Sequence, residues 1–122
     1  MRLNPDCIRD ILLTVEENTG YSKFMEYPKS YPLLKPYSDE EVLYHIKQCE
    51  MSNLLTKVHY YIGGGCSIQD LTPGGHEFLA NIRLDTNWNK TKDIAKTVGS
   101  TSLNAITEIA STVITNIIKG QI

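Results

Sequence analysis

Val58-His59-Tyr60-Tyr61-Ile62-Gly63-Gly64-Gly65-Cys66-Ser67-Ile68-Gln69-Asp70-Leu71-Thr72-Pro73-Gly74-Gly75-His76-Glu77-Phe78-Leu79 is the stretch that decides the fold. Val58, Tyr60 and Ile62 alternate with His59 and Tyr61, the two-residue period of a half-buried strand. Gly63-Gly64-Gly65 supplies the turn, and a short return strand follows around Cys66-Ser67-Ile68-Gln69. Thr72 then caps a helix, Pro73 occupies its first turn, and Phe78, Leu79 and Ile82 form its apolar face. The three glycines are not a phosphate loop. That loop ends in Gly-Lys-Ser/Thr at a helix start, and Cys66-Ser67-Ile68 is a different sequence.

Upstream, Asn4 caps a first helix, with Pro5 in the first turn and Asp6 at the positive end of the helix dipole. Ile8, Ile11, Leu12 and Val15 make its apolar stripe, and Asn18-Thr19-Gly20 ends it with Gly20 as a left-handed cap. Pro28, Pro32 and Pro36 interrupt residues 21 to 37, interleaved with Tyr21, Phe24, Tyr27, Tyr31 and Tyr37. So many prolines exclude a helix, and the spacing predicts an extended connection with one short edge strand, pinned to the core by its aromatics. Ser38-Asp39-Glu40-Glu41 is a capping box that opens a second helix. Val42, Ile46 and Cys49 share one face of it with His45 alongside, and Leu54 and Leu55 enter the core after it ends.

Downstream, a fresh helix starts near Asp85-Thr86, carries Trp88, Thr91, Ile94, Ala95 and Val98, and ends at Gly99. The last helix runs from about Ser102 to Lys119, with Leu103, Ile106, Ala110, Val113 and Ile117 at steps of three and four. Ile109, Ile114 and Ile118 widen its stripe, while Thr107, Ser111, Thr112, Thr115 and Asn116 leave the other face nearly uncharged. Trp88 is expected between the third and last helices.

The chain has 122 residues, 41% of them hydrophobic and 21% charged, so it is a globular chain of single-domain size. Twelve Lys and Arg against fourteen Asp and Glu give a net charge of −2, with a pI of about 5.9, which removes global positive charge as an argument for nucleic-acid binding. No run approaches the length of a membrane span, and the N-terminus lacks the pattern of a secretory signal. Cys7, Cys49 and Cys66 are odd in number and widely spaced, which points to reduced thiols and a cytoplasmic location.

Helix, extended segment, helix, two-stranded hairpin, helix is the order of a winged-helix domain, with the hairpin as the wing. Ile68-Gln69-Asp70-Leu71-Thr72-Pro73-Gly74-Gly75-His76-Glu77-Phe78-Leu79 is similar to the strand, Leu-Thr-x-x-Gly, helix exit from the wing of many bacterial winged-helix regulators. Pro5-Asp6-Cys7-Ile8-Arg9-Asp10-Ile11-Leu12-Leu13, Glu41-Val42-Leu43-Tyr44-His45-Ile46, the Leu71–Leu79 block with Ile82-Arg83, and Trp88-Asn89-Lys90-Thr91-Lys92 occur in that order. Together they resemble a family of small winged-helix-like proteins of bacteria and their prophages, a domain of unknown function. The resemblance implies the fold and a mobile-element setting. The order of elements predicts an α+β chain with a winged-helix-like domain at 1–84 and a helical C-terminal extension at 85–122 packed on it as a single structural unit. The resemblance implies no activity. The chain departs from a full helix-turn-helix where the proline-rich stretch replaces the scaffold helix.

Duplex DNA binding requires cations on the second helix and the wing, because phosphate neutralisation supplies most of the affinity. Asp39, Glu40, Glu41 and Glu50 outnumber Lys47 there, and the wing adds only Lys57 and His59. The DNA-contacting set under this alternative is Lys47, Lys57, Lys90, Lys92 and Lys96, diluted by Asp85 and Asp93. The favoured expectation is a non-enzymatic binding module. It meets a host or phage protein, as an inhibitor of a host or defence protein, through Asp39, Glu40, Lys47, Lys57, His59 and Tyr61, or self-associates through Ile114 and Ile118 of the last helix. His45 and Cys49 stand one helical turn apart, a spacing that can share a metal ion, but no Cys-x-x-Cys or His-Glu-x-x-His completes a set. No catalytic, cofactor or metal site is expected.

Overall fold

Asn4 starts the fold as a helix cap. Its side-chain oxygen accepts from the Asp6 and Cys7 amides at 3.1 and 3.3 Å, and α1 (Pro5–Asn18) follows. The structure, a computed structural model, describes residues 1–120. Cys7, Ile8, Ile11, Leu12 and Val15 of α1 are fully buried. The helix does not end on a left-handed glycine. Thr19, in extended conformation, is the cap residue, and its hydroxyl donates to the Val15 carbonyl at 2.7 Å. Gly20 instead forms an isolated bridge with Lys23.

The proline-rich stretch yields β1 (Met25–Tyr27) and a short 3-10 turn at Pro32–Leu34. Met25, Tyr27, Tyr31 and Leu34 are buried, and Tyr37 donates its phenol to Asp10 at 2.7 Å, so these residues do pin the connection. Tyr21 and Phe24 stay exposed. α2 (Asp39–Met51) begins at Ser38, whose hydroxyl accepts the Glu41 amide at 3.1 Å. The other half of the capping box is redirected, because the Glu41 carboxylate accepts from the Asn4 side-chain amide at 3.4 Å.

His45 is fully buried, and its proton can be placed by its neighbours. The Asn4 backbone N–H can only donate, so Nε2, 2.8 Å away, must be the bare nitrogen. Nδ1 then donates to the Glu41 carbonyl at 2.7 Å. A neutral histidine therefore fastens the start of α1 to α2, beside Val42, Ile46 and Cys49 of the same buried face.

Four short strands follow: β2 (Leu55–Thr56), β3 (His59–Tyr60), β4 (Cys66–Ile68) and β5 (Asp70–Leu71). β1, β4 and β3 form an antiparallel sheet with β4 in the centre, while β2 pairs with β5. The hairpin exists, but the alternation expected over 58–62 does not bury a face. Tyr60 and Tyr61 are exposed and Ile62 is fully so, whereas Cys66 and Ile68 on the return strand are buried. Pairing on both sides makes β4 the core strand and leaves β3 an edge.

α3 (Pro73–Ile82) starts as expected, with the Thr72 hydroxyl accepting the Gly75 amide at 2.9 Å. The same hydroxyl donates to the Asn53 carbonyl at 2.6 Å, and the Thr72 amide donates to the Leu54 carbonyl at 3.0 Å. The chain divides into two compact units, Met1–His76 and Glu77–Ile122. In the second, α4 (Asp85–Val98) and α5 (Leu103–Gly120) pack together. Gly99 closes α4 in a left-handed conformation, φ 77°, with the Ser100 amide donating to the Ala95 carbonyl at 3.1 Å. Trp88, Thr91 and Ala95 on α4 and Leu103, Ile106, Ala110 and Val113 on α5 are buried. The fold is α+β, and no helix among the described residues is long and apolar enough to cross a membrane.

Candidate functional site

The β1–β4 register sets the surface chemistry of the first unit. Glu26 pairs with Ser67 between the buried Met25 and Tyr27, so it faces outward. There its two carboxylate oxygens accept from the Tyr61 phenol at 3.2 and 3.1 Å. On β3, at the far side of β4, the Tyr60 phenol donates to Glu50 of α2 at 3.0 Å. Burial, and then the Glu50 carboxylate, push the Tyr60 phenol well above its ordinary pKa, so it remains a donor. Tyr27 behaves alike, held up by burial and by Asp39, to which it donates at 3.0 Å.

Between α2 and the β3–β4 hairpin lies an open groove of about 550 Å³. Leu43, Tyr44, Tyr60 and Tyr61 supply its apolar surface, and Gly64 and Gly65 form a lip without side chains. Gly65 is fixed there: with φ at +89°, a Cβ would lie 2.9 Å from the Tyr27 carbonyl oxygen. Glu40 and Lys47 complete the lining, and the Lys47 ammonium stands 4.9 Å from the Tyr60 ring centroid.

Of the residues singled out in the sequence, Glu40, Lys47 and Tyr61 meet in this groove. His59 adjoins it, edge-on to Tyr61 with ring centroids 5.3 Å apart. Asp39 lies at the start of α2 with its carboxylate on Tyr27, and exposed Lys57 occupies a left-handed position, φ 52°, between β2 and β3. Ile114, half-buried, and Ile118, exposed, lie one helical turn apart on α5 of the second unit. The cations of the DNA alternative are divided, with Lys47 and Lys57 in one unit and Lys90, Lys92 and Lys96 in the other. The Lys92 ammonium is 5.4 Å from the Trp88 ring centroid. Leu43, Tyr44, Tyr60, Glu26 and Glu50 were not anticipated as site residues. The alternation Met25-Glu26-Tyr27 is the one signal in the sequence that places Glu26 on the outer face.

His45 and Cys49, one helical turn apart, belong to the core. Both ring nitrogens of His45 are engaged, and the Cys49 thiol is fully buried and pushed above its ordinary pKa, chiefly by that burial. Among the described residues, no group of three His, Cys, Asp or Glu side chains converges to hold a metal ion.

These features define an α+β chain with a tyrosine-lined, carboxylate-rimmed groove on its first unit. The chain belongs to the family described as "Hypothetical protein (DUF2513)", which matches residues 2–102. It is also 32% identical over 121 residues to an "Uncharacterized protein" of Haemophilus influenzae (strain Rd), covering 97% of this chain and 99% of the relative. No solved structure matches the chain.

Proposed function

We propose that the first unit is a winged-helix-like binding module that recognises a protein through the groove between α2 and the β3–β4 hairpin. Support for the winged-helix reading comes from the strand order β1-β4-β3 and from α2 preceding the β3–β4 hairpin, with the short strand β2 between them. In such a domain α2 takes the place of the recognition helix and the hairpin that of the wing. The 3-10 turn at Pro32–Leu34 stands where a scaffold helix would be.

One observation carries the choice of partner. The surface that would face a DNA backbone presents Glu26, Glu40 and Glu50 around tyrosines, with Lys47 as the cation in the groove lining. Phosphates are repelled by such a rim, whereas half-exposed tyrosines are typical of protein interfaces. Catalysis is not part of this reading, and three buried, unpaired thiols suit a reducing cytoplasm. In a phage or prophage setting, an acidic surface beside the wing, built from Glu26 of β1 and Glu40 and Glu50 of α2, suits an inhibitor of a host or defence protein.

A pull-down comparing the wild type with a Tyr44→Ser/Tyr61→Ser variant tests this. A discrete protein retained by the wild type and lost by the variant supports the reading. The same proteins retained by both would remove the groove from it. Duplex DNA binding is the second reading, favoured by the strand order alone, and retardation of a duplex that disappears in Lys47→Ala/Lys57→Ala would establish it.

A further inference from the structure

We propose that the α2–hairpin groove takes an arginine side chain flanked by apolar residues, presented by a segment of a partner protein. This rests on the protein-binding reading and specifies the chemistry of what binds.

The groove already holds a cation against an aromatic face. Lys47 lies 4.9 Å from the Tyr60 ring centroid, while Tyr44 and Tyr61 present further ring surface, 36% and 42% exposed. Around these rings stand carboxylates with spare acceptor capacity. A phenol supplies one hydrogen, so Glu50 and Glu26 each keep lone pairs after accepting from Tyr60 and Tyr61. Among the described residues, neither carboxylate forms an ion pair with Lys or Arg.

The helix dipole accounts for part of the acidity but not for this arrangement. Asp39, Glu40 and Glu41 occupy the first turn of α2, where negative charge is favourable. Glu50 sits at the opposite end of the helix and Glu26 on another element. Their common feature is a tyrosine of the groove. A planar guanidinium can stack on a tyrosine while forking onto a carboxylate, which an ammonium cannot do as well. Leu43 and the tyrosine faces then take the flanking apolar groups. About 550 Å³ of open space suits a few side chains, and the bare Gly64–Gly65 lip lets a backbone pass.

The test titrates isotope-labelled full-length protein with acetyl-Leu-Arg-Leu-Arg-amide, with the same peptide carrying glutamine for arginine, and with a short DNA duplex. Amide shifts at Tyr44, Lys47, Tyr60 and Tyr61 are expected with the arginine peptide alone. Glu26→Gln/Glu50→Gln retains an acceptor oxygen for each phenol, and is expected to weaken binding about tenfold. Lys47→Met, which removes the competing cation, is expected to tighten it. Equal binding of both peptides overturns the arginine assignment and leaves the protein-binding reading standing. Groove shifts with the duplex alone overturn both. No shifts with any probe, or shifts elsewhere, overturn the arginine assignment.

Discussion

Replacing Gly75 by alanine places a methyl group on the backbone of the turn that follows α2. The new Cβ would fall on the Leu54 carbonyl oxygen, well inside van der Waals contact, with the Leu54 carbonyl carbon at 3.1 Å and its Cα at 3.4 Å. No flexible side chain can yield, so the start of α3 must move away from Leu54. That movement pulls on the Thr72 amide bond to Leu54, 3.0 Å, and the Thr72 hydroxyl bond to Asn53, 2.6 Å. Overpacking of this kind costs about 1–3 kcal/mol. Two hydrogen bonds weakened at about 1 kcal/mol each bring the expected loss to about 3–5 kcal/mol. Gly74→Ala is the matched control, because its Cβ would meet nothing nearer than 3.7 Å. Losing a glycine there is neutral or stabilising by up to about 1 kcal/mol. Urea unfolding followed by far-ultraviolet circular dichroism measures both. A Gly75→Ala midpoint equal to wild type, or a Gly74→Ala variant as damaged as Gly75→Ala, would refute the close-approach argument.

Other perturbations test other parts of the structure. His45→Ala removes the acceptor for the Asn4 amide and the donor to the Glu41 carbonyl, and opens a cavity; an expected loss of about 2–4 kcal/mol in the same unfolding assay would shrink to near zero if that link did not matter. Trp88→Ala empties a site 2% exposed in the second unit, and calorimetry should register about 3–5 kcal/mol lost, against a wild-type-like melt if the ring contributes little. Burial raises the Cys66 thiol to about 11 and the Cys7 thiol to about 12, from 9.0. Native protein at neutral pH should therefore resist thiol-specific labelling that is fast after denaturation. The sign of the accompanying pH effect follows from linkage. Above pH 9 the unfolded chain releases thiol protons that the folded chain keeps, so stability is full below pH 9 and declines as pH rises through about 11 and 12. Stability unchanged between pH 8 and the folded pKa values would contradict the burial assigned to these thiols.

Much of the fold was legible because its signals are local. Asn4, Ser38 and Thr72–Pro73 mark helix starts through side chains that bond nearby amides, and the structure has those bonds. The triple glycine marks the hairpin, and each of Gly63, Gly64 and Gly65 has positive φ. The sequence pattern failed where pairing partners decide burial. Tyr60 and Ile62 alternate like core residues, yet β3 is an edge, and burial passes to Cys66 and Ile68 because β1 pairs on the far side of β4. The strands β2 and β5 span two residues each, too short for any period to show. Gly20 failed as a cap because the Thr19 hydroxyl satisfies the Val15 carbonyl first. The candidate site was half legible. The acidity of α2 lies in the sequence, but Glu26 joins it only through the β1–β4 register, which local spacing does not encode.

Fluorescence anisotropy of a labelled DNA duplex at about 50 mM salt decides whether the α2–hairpin surface repels a phosphate backbone, since phosphate-driven binding is strong under that condition. The surface described here predicts a flat titration at protein concentrations up to about 100 µM, the weak end of ordinary non-specific DNA affinity. A saturable rise at low micromolar protein, abolished by added salt and by Lys47→Ala, would contradict it.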